Sequence, residues 1–184
     1  MSQLISYSKL RLSEFFTFFN LNEIDSERSS PNIKILKPGG FQEYINIEFH
    51  LNERGDVVMA ILLLDRQWIG NVETINPFGK DIAKSFIDAV VPLVEKEGED
   101  NIVILLVHFL FNMVGTKDKI IPCTQPLYNF ENSSREVKCF LDVYRGLKNS
   151  FEIPLKTSTL IIKNIIQKNK PRIIIKWRIK NNKN

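Results

Sequence analysis

The chain has 184 residues, 43% apolar and 25% charged, with a formal net charge of +4. That length suits one domain with a substantial core, and that balance excludes wholesale disorder. The longest apolar run, Ile102–Phe111, contains His108 and falls far short of the ~20 residues of a membrane span.

The N-terminus shows no continuous apolar stretch of signal-peptide length. The chain therefore reads as a soluble, cytoplasmic protein whose two cysteines, Cys123 and Cys139, are free thiols.

The small net charge conceals an asymmetry. Residues 156–184 carry nine Lys and Arg and no acid, whereas residues 1–155 carry 16 bases against 21 acids, a net of −5. A mildly acidic body with a strongly basic end says more about partners than the total does.

Taken in chain order, Ser13–Asn20 predicts a short helix, with Ser13 as N-cap and Phe15, Phe16 and Phe19 on one face. Thirteen phenylalanines, many of them paired, point to a core or an interface. Residues 22–31 are polar and read as a mobile loop, and Lys37-Pro38-Gly39-Gly40 is a turn. Tyr44–Leu51 alternates as a strand with one wet face. Asn52–Asp56 is a hairpin connection with Gly55 at positive φ. Val57–Leu64 is apolar on both faces, as a central strand covered on both sides would be. Asn76-Pro77 opens a helix as cap and first residue, and Pro92 should kink or end it, with continuation to Lys96 allowed by the pattern and Gly98 as terminator.

Beyond that helix, 101–114 fits a buried helix better than a buried strand, and 116–134 reads as a long irregular connection. Glu136–Tyr144 resembles a strand with Val137, Cys139, Leu141 and Val143 on one face. Residues 158–169 fit either a helix or a strand that turns back through Lys168–Pro171. Arg172–Lys180 has the period of a strand, with Ile173, Ile175, Trp177 and Ile179 inward, and only 181–184 is left as a loose tail. The expected fold is a single α+β domain over 1–184: a mostly antiparallel sheet with two or three helices packed on one face.

No motif commits the chain to a reaction. His50, His108 and the cysteines lack a zinc-site spacing, and no phosphate-binding glycine loop or hydrolase elbow occurs, so no metal or cofactor is expected. Neither histidine is brought near Cys123 or Cys139 by the sequence, and both histidines read as ordinary core or surface residues. Glu136-Val-Lys138 on a strand, with Asp118 as the earlier acid, has the spacing of metal-dependent nucleases of the PD-(D/E)xK type, in which two carboxylates hold a divalent ion. The same residues also fit a plain solvated surface.

The stronger feature is the terminal strand, which would display Arg172, Lys176, Arg178 and Lys180 as an outward row. The first reading of function is a non-enzymatic interaction or regulatory module that associates with a protein partner or with itself. Phe15, Phe16, Phe18 and Phe19 would then lie partly at the interface. The alternative is a nucleic-acid-binding protein, in its strongest form a nuclease using Glu136 and Lys138, whose basic row tracks a phosphate backbone. A small-molecule site between sheet and helix rests on fold analogy alone. Protection of an exposed edge strand by its charges is the bland account of the row.

Overall fold

The computed structural model describes residues 4–71, 74–98, 101–111 and 135–180. Two short helices, α1 (Tyr7–Leu10) and α2 (Glu14–Phe18), open the chain. Ser13 was expected to cap α2, but its hydroxyl instead donates to the Leu10 carbonyl at 2.6 Å, closing the end of α1. Phe15, Phe16 and Phe19 are buried as the periodicity requires, and Phe18 is 75% exposed.

Four strands follow: β1 (Asn22–Glu23), β2 (Ile33–Lys37), β3 (Ile45–Leu51) and β4 (Val57–Asp65). The segment expected to be a mobile loop thus begins as an edge strand. It is tied down where Ile24 N–H donates to the Ile35 carbonyl at 2.9 Å and where Arg28 reaches Glu48. The β3–β4 hairpin turns at Gly55, φ 77°, with Asn52 Oδ1 accepting from the Arg54 and Asp56 amides at 3.0 and 2.9 Å.

Asp65 caps a single turn, α3 (Arg66–Ile69), and Asn76 caps α4 (Pro77–Val90) by accepting from Phe78 N–H at 2.9 Å and Gly79 N–H at 3.3 Å. Pro92 ends α4 without continuation; only a 3-10 turn, Leu93–Glu95, follows. Proline cannot donate to the carbonyl four residues back, and the Lys96 ammonium fills that role, donating to the Asp88 carbonyl at 2.5 Å.

α5 (Ile102–Phe111) is the buried helix its length suggests. α6 (Arg135–Tyr144) corrects the expected strand. Its alternating residues also satisfy helical spacing, and the helix buries Phe140 and Tyr144, which a strand would have turned outward. Three strands complete the chain: β5 (Ser150–Pro154), β6 (Ser158–Gln167) and β7 (Lys170–Ile179). The ambiguous segment before the terminal strand is therefore a strand, joined to β7 by Lys168 and Asn169, both at positive φ (49° and 60°).

All seven strands form one antiparallel sheet in the order β1-β2-β3-β4-β7-β6-β5, with the helices on one face, as expected of the α+β class. The core joins the helices to the sheet residues Ile47, Phe49, Leu62, Leu64, Leu160, Ile162, Ile173, Ile175 and Trp177. β7 lies between β4 and β6, so the edge-strand explanation of its charges does not apply. β4 is central too, but among the described residues it is covered on the helix side only: Met59, Ile61 and Leu63 lie half-buried on the other face. Ile35 and Ile161 are 5% and 4% exposed yet stand outside the core cluster, because they belong to that second face.

Candidate functional site

The pairing register lays out the open face row by row. One row runs Ile35, Glu48, Ile61, Lys176, Ile161, Glu152 across six strands, spaced about 4.8 Å apart. Its neighbour on one side runs Asn46, Leu63, Ile174, Lys163, and on the other His50, Met59, Arg178, Thr159. The face is therefore an aliphatic stripe on β4, β7 and β6 with cations set into it.

The four expected row residues remain on this face but divide into two roles. Arg172 Nη1 lies 2.9 Å from Asp65 Oδ2, with both side chains largely buried, and Asp65 Oδ1 accepts from the Gln67 and Trp68 amides at 2.9 and 3.1 Å. Lys180 donates to the Leu155 carbonyl, and its backbone amide bonds the Thr157 carbonyl at 2.8 Å. These two are braces. Lys176 and Arg178 make no ion pair among the described residues, and Lys163 on β6 joins them on the same face. Lys176 and Arg178 line a shallow groove of about 770 Å³ together with Met59 and Thr159.

Burial, reinforced by Arg178 and Lys163, pushes the Lys176 ammonium below the ordinary lysine range, and Glu48 pulls the other way. Glu48 does not neutralise Lys176, because Ile61 stands between them and its carboxylate is already taken. Arg28 Nη2 sits 3.0 and 2.8 Å from its two oxygens, and His50 Nε2 lies 2.5 Å from Oε1. Replacing Lys176 with Met should therefore raise stability at neutral pH by about 0.5–1 kcal/mol, kept small because the ammonium is partly screened by water. Urea unfolding checks this, and a loss of stability would show that the charge is compensated in the folded chain.

Sequence reasoning missed Arg28 and the burial of Glu48; Lys163 was in view as part of a basic segment that would widen the patch. Glu48 and His50 were visible as neighbours on one wet face. Nothing local signalled that Arg28, 20 residues earlier, closes over them.

The nuclease spacing loses its geometric basis. On α6, Glu136 and Lys138 point about 200° apart around the helix, not to one side. Asp118 lies outside the described residues, as do Cys123 and the connection 116–134. Among the described residues no group of three His, Cys, Asp or Glu could hold a metal ion. Cys139, on α6 and not on a strand, accepts from Lys148 Nζ at 3.3 Å. No described helix is long and apolar enough to cross a membrane.

No protein-family model, curated protein or solved structure matches the chain. The roles of these residues therefore rest on their geometry alone.

Proposed function

We propose that this protein is a non-enzymatic interaction module that docks another protein on the open face of its sheet, and that the docked segment is aliphatic with acidic flanks. The observation that supports this reading is the set of cations Lys163, Lys176 and Arg178, with no ion pair among the described residues, embedded among Met59, Ile61, Leu63 and Ile174. A partner carboxylate would offset the repulsion that Arg178 and Lys163 add to the burial of Lys176, and partner side chains would cover the half-buried aliphatics. Nucleic acid is the weaker candidate. Single strands are held on sheet faces by stacking on aromatic rings, whereas aliphatic chains surround these cations. Trp177 is fully buried on the helix side, and Tyr44 is stacked on Trp68 of α3.

The test is a titration with three labelled probes: a short amphipathic helical peptide with a leucine stripe and glutamate flanks, its lysine-flanked twin, and a duplex oligonucleotide. The acidic peptide should bind about tenfold or more tighter than its twin, a difference of about 1.4 kcal/mol. Tighter binding of the duplex, weakening steeply with salt, would instead support a nucleic-acid-binding protein.

A further inference from the structure

The β6–β7 hairpin runs past both of its neighbours. β5 begins at Ser150, opposite Lys163, and β4 ends at Asp65, opposite Arg172. Residues 166–171 therefore stand as a two-stranded tongue, closed by Lys168 and Asn169. Its apolar tip residue, Ile166, is 79% exposed, and exposed Lys168 and Lys170 beside it carry no ion pair among the described residues. An isoleucine held out beside lysines on a hairpin tip buries little of its surface against the described residues.

The helix layer carries a feature of opposite charge. α2 and α4 border a groove of about 760 Å³ with Phe15, Phe18 and Ala89 in its wall. Phe18 is 75% exposed there. Three acids, Glu14, Asp81 and Asp88, line it against one base, Lys84. Asp88 is held by Lys96 at 3.0 Å, whereas Glu14 and Asp81 have no ion pair among the described residues.

We infer that the tongue of one copy seats in the α2–α4 groove of a second copy, Ile166 against Phe18 and the tongue lysines against Glu14 and Asp81. The tongue continues the sheet and so does not fold back onto its own groove. Each copy bears both halves of the contact, which reciprocates in a closed dimer or propagates as a chain. Self-association of this kind is separate from the open face, and would present that face to partners in multiple copies.

The experiment uses the full chain with Cys123→Ser and Cys139→Ser. One preparation carries Ile166→Cys and the other Phe18→Cys, and the two are mixed under mild oxidation. The mixed disulfide should form in clear excess over either homodimer. In sedimentation, Ile166→Glu and Phe18→Lys should each weaken self-association about tenfold or more, and Lys168→Glu combined with Glu14→Lys should restore part of what either alone loses. Both positions are exposed, so unchanged circular dichroism serves as the folding control. A monomer at high concentration, self-association unchanged in both variants, or homodimer disulfides in preference to the mixed one would overturn the proposal. The acidic-peptide titration on Ile166→Glu reads the open face separately, so either idea can fail while the other stands.

Discussion

Replacing Glu95 with alanine should cost the fold about 2–3 kcal/mol, the sum expected from removing the charged acceptor of two part-buried backbone amides. Glu95 is 3% exposed and sits in the 3-10 turn after α4. Its Oε2 accepts from the Lys156 amide at 2.9 Å. Its Oε1 accepts from the Thr157 amide at 2.8 Å, from the Thr157 hydroxyl at 2.5 Å and from the Ser158 hydroxyl at 3.3 Å. One carboxylate thereby fastens the helix layer to the β5–β6 turn, the same turn that Lys180 grips from β7. Burial pushes this carboxyl up, but the donors of Thr157, Lys156 and Ser158 outweigh burial and hold it below the usual glutamate range.

The direction of the pH effect follows. A carboxyl depressed in the folded state contributes stability that is fully present above the unfolded value of about 4.3 and is lost as pH falls through the folded value. Urea unfolding across this acid range should show a steeper fall for the wild type than for Glu95→Gln, which keeps the shape and loses the titration. A cost under about 1 kcal/mol for Glu95→Ala would mean that the turn amides find other acceptors.

The second large effect falls on binding. Reversing two charges, Lys176→Glu with Arg178→Glu, should weaken the acidic peptide by about a hundredfold, roughly 1–2 kcal/mol for each charge turned from attraction to repulsion. It should also reverse the preference between the acidic peptide and its lysine-flanked twin. Arg178 is exposed and Lys176 half-buried, and neither braces the sheet, so the fold should survive. Arg172→Glu is the contrasting control. It breaks the pair with Asp65 and leaves that largely buried acid facing another carboxylate, so its penalty should appear in stability as well as affinity. Equal affinity loss from the double reversal and from Lys168→Glu on the tongue would remove the open face from its proposed role.

How much of this was legible in the sequence depended on range. The β3–β4 hairpin and the start of α4 announced themselves because Asn52, Gly55, Asn76 and Pro77 act on residues a few positions away. α6 misled because Val137, Leu141 and Val143 fit both periods, and only the burial of Phe140 and Tyr144 against the rest of the core decides between them. β4 misled differently: strands apolar on both sides usually carry cover on both, and here the second face is open among the described residues.

The site was half visible. Alternation placed Arg172, Lys176, Arg178 and Lys180 on one face, which holds. It could not reveal that Arg172 meets an acid 107 residues earlier in the chain or that Lys180 reaches the Leu155 carbonyl. Those long-range partners turn four similar charges into two braces and two cations with no ion pair among the described residues. Lys163 completes the set only once its segment is known to be a strand beside β7. Phe15, Phe16 and Phe19 likewise belong to the core, and of that group only Phe18 remains at the surface.

The most direct test of the docking face is chemical-shift mapping on isotope-labelled full chain with the glutamate-flanked peptide. The account predicts perturbations concentrated on Met59, Ile61, Leu63, Ile174, Lys176 and Arg178, with the helix-side residues Leu62, Ile175 and Trp177 moving little and Phe18 unaffected. Shifts centred on the helix layer, or none on β4 and β7 at saturating peptide, would contradict it.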